Sequence, residues 1–250
     1  MNLEVLFTPA DFAALATRDL KNTACVVLDV FRATSTMITA LANGASAIIP
    51  VGEISEALAI RKREPDVLLC GEREGLRIRA ALTGGIDFDF GNSPREFTKE
   101  KVAGRTLVMT TTNGTQALRA CARAKQVLIG SFLNLQATAD LLARQNPENL
   151  LVVCSGTFEQ AAFEDVLAAG ALCDVLWEKC EGGAISDSAQ MSRQLFQLAQ
   201  NNLLNAAQQS RNGRRLFSRP ELREDVAFCL QRDIYNFVAM MQPDGIIRQL

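Results

Sequence analysis

The first two-thirds of the chain alternates short apolar runs with segments of helical periodicity. Runs at residues 3–7, 24–30, 47–51, 67–70, 106–110, 126–130 and 150–154 are rich in Val, Ile and Leu and mostly lack polar–apolar alternation. Such runs predict strands buried on both faces, as inside a parallel sheet. Helical segments lie between them. Thr8-Pro9 starts one that extends through Leu15. Residues 34–42 form a second, stopped by Asn43-Gly44, and 53–64 a third, stopped before Pro65. Ser93-Pro94 puts a cap before a proline at the first helical position. Asn113-Gly114 opens a helix carrying Leu118 and Cys121, and Asn134 opens one carrying Leu135, Thr138 and Leu142. Residues 163–180 place Phe163, Val166, Gly170, Cys173 and Trp177 on one side.

Strand–helix alternation of this kind predicts the α/β class, a three-layer α/β/α fold with a largely parallel or mixed sheet. Residues 1–250 read as one α/β unit, with a division into 1–100 and 101–250 as the alternative. The unit from Val26 to about Val51 resembles that from Leu107 to about Gly130. Two similar βαβ halves are one reading of this; the general likeness of any two such units is the other. Beyond residue 180 the pattern changes. Residues 186–209 predict one long Gln/Asn-rich amphipathic helix, serving either intrachain packing or a homodimer interface. Residues 219–231 predict another helix. Residues 237–241 and 246–248 predict edge strands around the turn Gln242-Pro243-Asp244-Gly245.

The chain has 250 residues, of which 48% are hydrophobic and 22% charged, so it carries a sizeable core and is not disordered. Twenty-six Lys and Arg against 28 Asp and Glu give a net charge of −2. There is no basic excess to attract nucleic acid or an anionic membrane. No apolar stretch approaches a membrane span, and Met1-Asn2-Leu3-Glu4 has no signal-peptide character. Seven cysteines are scattered without a CxxC pair, several of them inside apolar runs, which predicts a reduced, cytoplasmic protein with buried thiols. The most restrictive count is His 0. It excludes a Ser-His-Asp triad, a Cys-His pair, phosphohistidine chemistry and imidazole-built zinc sites. Proton transfer near neutral pH is left to carboxylates, Cys, Lys, Tyr or water.

In parallel sheets, chemistry collects where strands end and helices begin. The second apolar run is followed by Asp29-Val30-Phe31-Arg32-Ala33-Thr34-Ser35-Thr36. A carboxylate suited to Mg²⁺, a guanidinium suited to an anion, and hydroxyls at a helix start form a phosphate-handling set. An Asp29–Arg32 ion pair with ordinary capping is the plain alternative. Gly71-Glu72-Arg73 repeats the acid–base pairing at another strand end, where a solvated turn is the alternative. In Phe90-Gly91-Asn92-Ser93-Pro94-Arg95, Ser93 reads first as a helix cap. Thr110-Thr111-Thr112-Asn113-Gly114-Thr115 is the best anion cradle in the chain, with hydroxyls, amides and a glycine at a helix start. Ser131 and Asn134 follow the next strand, and Cys154-Ser155-Gly156-Thr157 the one after. Glu164 and Asp165 stand in a first helical turn, where they either complement the helix dipole or bind metal. Strand ends furnished in this way predict one polar pocket at one sheet edge, for an anionic ligand and a divalent cation. Known phosphatase signatures fail. Arg77 lies one residue too far from Cys70 for a phosphocysteine loop, and Phe31 stands where an Asp-x-Asp motif needs its second acid.

Taken in order, the run 27–36, Gly71-Glu72-Arg73, the run 90–94, the run 110–115, and Glu164-Asp165-Val166-Leu167 with Ala169-Gly170-Ala171 closely resemble the 2-phosphosulfolactate phosphatase family. The resemblance spans about residues 25–175 and is looser in the C-terminal third. It implies an α/β, Mg²⁺-dependent phosphomonoesterase. Its substrate would be 2-phospho-3-sulfolactate, hydrolysed to 3-sulfolactate and phosphate on the way to coenzyme M, or a related small 2-phospho acid. On this reading Asp29 and Glu72 hold Mg²⁺, with Glu164 or Asp165 as further candidate ligands. Arg32 and Arg73 hold the phosphate or the substrate's carboxylate and sulfonate. Thr111, Thr112, Asn113 and Gly114 cradle the phosphoryl oxygens, and Ser35, Asn92, Ser93, Ser131 and Asn134 complete the pocket. The nucleophile is open among Asp29, metal-activated water and Cys154. Residues 77–88, with Thr83-Gly84-Gly85, are longer than the family's usual spacing, so altered substrate choice is expected of that loop. A non-catalytic binding protein for an anionic metabolite on the same scaffold is the alternative from another class. Without histidine, an activity optimum on the acidic side of neutral is expected.

Overall fold

A computed structural model describes residues 1–250, the side chain of Ala13 excepted. The apolar runs form strands β1 (Asn2–Leu6), β2 (Thr23–Leu28), β3 (Ala47–Pro50), β4 (Leu68–Arg73), β6 (Thr106–Thr110), β7 (Gln126–Gly130) and β8 (Asn149–Cys154). The two-residue strand β5 (Leu76–Arg77) folds back on β4, and β9 (Ala239–Met241) and β10 (Ile247–Gln249) complete the set. Every residue of β2 is buried. Cys25 and Val27 enter one core cluster and Val26 and Leu28 the other, following the two-residue period of a strand. Helices Leu135–Gln145 and Phe163–Cys180 cover the face with Val26. Helices Ala33–Ala42 and Gly114–Cys121 cover the face with Cys25. The result is a three-layer α/β/α arrangement.

The sheet order is β1-β8-β2-β7-β9-β10-β3-β6-β4-β5. Strands β1, β8, β2 and β7 form one parallel block, and β3, β6 and β4 another. The β9–β10 hairpin lies between them, antiparallel to β7 on one side and to β3 on the other. These are the two segments expected at an edge; instead they occupy the middle of the sheet, with Ala239 and Ile247 fully buried. Three successive antiparallel pairings make the two blocks run in opposite senses, so the sheet is mixed.

In a flat sheet, the carboxyl ends of opposed blocks would lie on opposite edges. Strand twist of about 20–25° per step accumulates across the intervening strands and turns those ends toward each other. They meet where helix Ala33–Ala42 starts after β2 and helix Gly114–Cys121 starts after β6. A Cβ placed on Gly114 would lie 2.9 Å from Asp29 Oδ2 and 3.0 Å from Ala33 Cβ. The expected single sheet edge is thus corrected to the junction of two opposed blocks. The two similar units are arranged reciprocally: one helix carries the chain from β2 to β3 in the other block, and the other carries it back from β6 to β7.

The C-terminal third departs most from its pattern. The expected helix over 186–209 is broken into Asp187–Ala199, a short 3-10 turn Gln200–Asn202, and Leu203–Gln209. The Asn202 side chain accepts the Asn205 amide and restarts the helix as an N-cap. Helix Asp187–Ala199 packs within the chain against Phe163–Cys180, burying Ala189, Ser192 and Phe196 while Met191 and Leu198 stay exposed. Helix Arg211–Phe217 has no counterpart in the sequence pattern, and the segment 219–231 is helical only over Arg223–Cys229. Ser93-Pro94 opens only a three-residue 3-10 turn, because the Ser93 hydroxyl bonds Asp225 and does not cap. No helix among the described residues is long and apolar enough to cross a membrane.

Candidate active site

A cavity of about 260 Å³ opens where the strand ends meet. Asp29, Phe31 and Arg32 enter it from β2, Glu72 to Gly75 from the β4–β5 turn, and Thr111 to Asn113 from β6. Asn92, Thr157 and Phe158 also line it. The remaining wall is Asn212, Arg215, Leu216, Arg219 and Leu222, from the C-terminal third.

Asp29 is buried at the start of helix Ala33–Ala42. Its amide donates to Thr34 Oγ1 at 3.1 Å, and its Oδ1 accepts the Ala33 amide at 3.3 Å. No donor among the described residues meets Oδ2. Burial pushes this carboxyl up to about 7; the Ala33 amide opposes the rise, the charges of Glu72 and Glu164 add to it, and Arg32 opposes it. The Phe31–Arg32 peptide is cis.

Arg32 is not paired with Asp29. Its Nη1 meets Asp225 Oδ2 at 3.4 Å, and its Nη2 donates to the Gly75 carbonyl at 2.7 Å. Asp225 is fully buried and also accepts the Ser93 hydroxyl at 2.6 Å. Ser93 therefore supports Arg32 through Asp225 and does not itself face the cavity. Arg73 is fixed by three acceptors: the Glu72 carbonyl at 2.7 Å, the Gly52 carbonyl at 3.2 Å and Thr110 Oγ1 at 3.0 Å. Two guanidiniums are thus held before any ligand arrives.

Glu72 has a different geometry from that expected of a metal ligand. Its Oε1 accepts both the amide and the hydroxyl of Thr112 at 2.8 Å, and its Oε2 accepts the Gly75 amide at 2.7 Å. It ties the end of β4 to the end of β6. The same bonds engage both Thr112 donors, which leaves the cradle to Thr111, Asn113 and Gly114. Thr111 bonds Thr115 one turn on, whereas the Asn113 side chain lines the cavity and makes no capping bond.

Glu164 and Asp165 also part company. Asp165 accepts the Val30 amide at 2.8 Å and the Gly156 amide at 3.2 Å, so it braces the ends of β2 and β8. Glu164 Oε1 accepts Asn212 Nδ2, while its Oε2 is buried with no partner. Burial raises both carboxyls, and for Asp165 the charges of Asp29 and Glu164 add to the rise. Asp29 Oδ2 and Glu164 Oε2 are therefore the uncommitted oxygens of a buried acidic pair whose charges oppose each other. A hard divalent cation bound through one or two carboxylates suits that donor set. Among the described residues no group of three or more acids or thiols is gathered for a metal.

The other expected site residues lie away from the cavity. Ser131 and Asn134 form a reciprocal capping box, with the Ser131 amide on Asn134 Oδ1 at 3.0 Å. Ser35 donates to the Val30 carbonyl at 2.9 Å. Cys154 is fully buried inside the sheet, and burial raises its thiol well above the ordinary value, so the nucleophilic thiolate is disfavoured. The long loop after β5 does not reach the cavity: Ile78 and Phe88 pack into a separate cluster with Leu69 and Val108. Asn92 does line the cavity, with its Oδ1 buried and unpartnered.

Sequence reasoning missed Asn212, Arg215, Arg219 and Asp225. A signal was present. Arg211, Arg214, Arg215, Arg219 and Arg223 crowd one short stretch of a chain whose net charge is −2.

Opposed parallel blocks whose strand ends bring arginines and buried carboxylates to one cavity define a pocket for a small, multiply charged anion. The profile of the 2-phosphosulpholactate phosphatase family matches residues 11–244, and the chain belongs to that family. A relative from Thermotoga petrophila, named probable 2-phosphosulfolactate phosphatase, is 40% identical over 213 residues, covering 85% of this chain and 86% of its own. One of the same name from Caldanaerobacter subterraneus subsp. tengcongensis is 37% identical over 247 residues, 97% of both chains. Another, from Pseudothermotoga lettingae, is 35% identical over 248 residues, 99% of both. The matched span takes in the C-terminal third and its arginine cluster.

Proposed function

We propose that this chain is a phosphoric monoester hydrolase that cleaves 2-phospho-3-sulfolactate, or a closely related 2-phospho acid, with Mg²⁺ as cofactor. The observation that carries the reading is the juxtaposition of Asp29 Oδ2, clear of donors, with fixed guanidiniums in one cavity. Seven buried and unpaired cysteines accord with a reducing, cytoplasmic setting.

Asp29 and Glu164 would hold the cation, which when bound supplies a Lewis acid that neutralises charge on the phosphoryl oxygens. Arg32 and Arg73 bind those oxygens. Both are fixed beforehand by protein acceptors, so little reorganisation is needed as charge develops. The start of helix Gly114–Cys121 adds backbone amides and the positive end of its dipole. Phe31, Leu216 and Leu222 exclude water and strengthen each charge contact. In the alternative route Asp29 would leave the cation to Glu164 and attack phosphorus through Oδ2, forming an aspartyl phosphate as the P–O bond to the 2-hydroxy acid breaks; borohydride trapping of that intermediate separates it from attack by water.

The test is phosphate release from a panel of 2-phospho acids with Mg²⁺ and with EDTA. Hydrolysis of 2-phospho-3-sulfolactate is expected with Mg²⁺ and not with EDTA. Asp29→Asn should lower kcat/KM by about 100- to 1,000-fold with folding retained. Ligand-induced thermal stabilisation without turnover would mark a binding protein instead.

A further inference from the structure

The C-terminal third contributes two arginines to the cavity that the phosphoryl chemistry above does not use. Arg215 lies in helix Arg211–Phe217, and Arg219 follows it. With Arg32 they converge on Gly75. From a Cβ position on that glycine, Arg32 Nη2 is 3.6 Å away, Arg215 Nη2 3.7 Å and Arg219 Nη1 3.8 Å.

The charge around this point is unbalanced. Arg32 has Asp225 at 3.4 Å. Among the described residues, neither Arg215 nor Arg219 has a carboxylate within salt-bridge distance. Arg215 Nη2 donates to the Glu74 carbonyl, and Glu74 is an exposed residue at the cavity's rim with no salt bridge to either arginine. Arg219 Nη1 is buried with no hydrogen-bond partner. A buried, unpaired guanidinium nitrogen beside two others is costly unless a ligand brings negative charge to it.

We propose that Arg215 and Arg219 form a second anion subsite that holds the sulfonate of the substrate, beside the phosphoryl group bound by Arg32 and Arg73. The proposal rests on the function proposed above and assigns its selectivity to these two residues. A coplanar carboxylate is matched by one guanidinium fork. A sulfonate is tetrahedral, with three acceptor oxygens, and takes donors from more than one guanidinium, as Arg215 and Arg219 offer. It also stays ionised at every pH at which the enzyme is folded. Leu216 and Leu222, in the same wall, shield these contacts from water.

The experiment compares 2-phospho-3-sulfolactate with 2-phospholactate, the same ester without the sulfonate, on wild type, Arg215→Gln and Arg219→Gln, with Mg²⁺ present. Each variant should lose about 10- to 100-fold in kcat/KM on the sulfonated ester. On 2-phospholactate the loss should be no more than about threefold. Equal losses on both esters, or no loss on either, would overturn the subsite. Calorimetry with 3-sulfolactate and with lactate reads the same contact without turnover. Wild type should bind 3-sulfolactate more tightly than lactate, and each variant should lose that margin. If wild type hydrolyses neither ester, the proposed function fails while the calorimetry still decides the subsite. Wild-type affinity equal for 3-sulfolactate and lactate would overturn the subsite itself. Thermal melting confirms that each variant is folded, and Arg219→Lys, which keeps the charge, should retain part of the margin if Arg219→Gln does not fold.

Discussion

Gly114 separates stability from catalysis. At the first position of its helix, alanine would normally be the better residue by about 1 kcal/mol. Here the added methyl would press on Asp29 Oδ2, the atom on which the proposed chemistry turns. Gly114→Ala should therefore leave the melting temperature almost unchanged and lower kcat/KM at least about tenfold; full activity in that variant would contradict the close approach. Asp225 touches Arg32 and Ser93 and does not line the cavity. Asp225→Asn should raise KM for the phosphate ester about tenfold, with a smaller change in kcat, as the guanidinium loses its anchor. Asp29 and Arg32 were legible because an acid and a base follow an apolar strand directly. Their partners were not. Asp225 belongs to a short helix far along the chain, and nothing in its own pattern says which strand end it faces. Glu72 reads as chemistry from the sequence but ties two strands in the fold, since residue type alone does not reveal which donors its oxygens meet.

At the scale of elements, burial decided what could be read. Strands β6 and β7 lie where continuous apolar runs put them, because both of their faces are covered. The three-residue strands β9 and β10 look alike at an edge or at a centre, since composition does not name a partner. The break at Asn202 is set by one side-chain bond that amphipathic periodicity ignores. The crossing of helices Phe163–Cys180 and Asp187–Ala199 depends on Gly170, where a Cβ would lie 2.0 Å from the Ser192 carbonyl oxygen. Backbone cannot move aside as a side chain does. Gly170→Ala should therefore destabilise the fold by about 1–3 kcal/mol in urea unfolding, despite alanine's better helix propensity.

At the scale of the whole molecule, the acidic cluster sets how stability varies with pH. Asp29, Glu164 and Asp165 are all held above the ordinary carboxyl range, chiefly by burial, Asp29 at about 7. In the unfolded chain they titrate near about pH 4. Between those limits the folded state binds more protons, so this contribution to stability falls as pH rises through the window. In EDTA, the melting temperature should be several degrees lower at about pH 8 than at about pH 5.5, and Mg²⁺ should narrow the gap by pairing the ionised oxygens. A higher melting temperature at the alkaline end in EDTA would contradict this.

The hairpin between the two blocks also governs when the cavity comes into being during synthesis. Asp29 belongs to one block and Glu72 and Thr111 to the other, and residues 239–249 supply the ladder that joins them. A nascent chain with that stretch still inside the ribosomal tunnel has the strands carrying Asp29, Glu72 and Thr111 outside and no sheet continuous between them. Closing the sheet requires contacts between residues far apart in sequence, which makes it a slow step. Translation past the hairpin and assembly of a working site are therefore coupled, and a chain stalled before it leaves exposed strand edges to chaperones rather than a partly active enzyme.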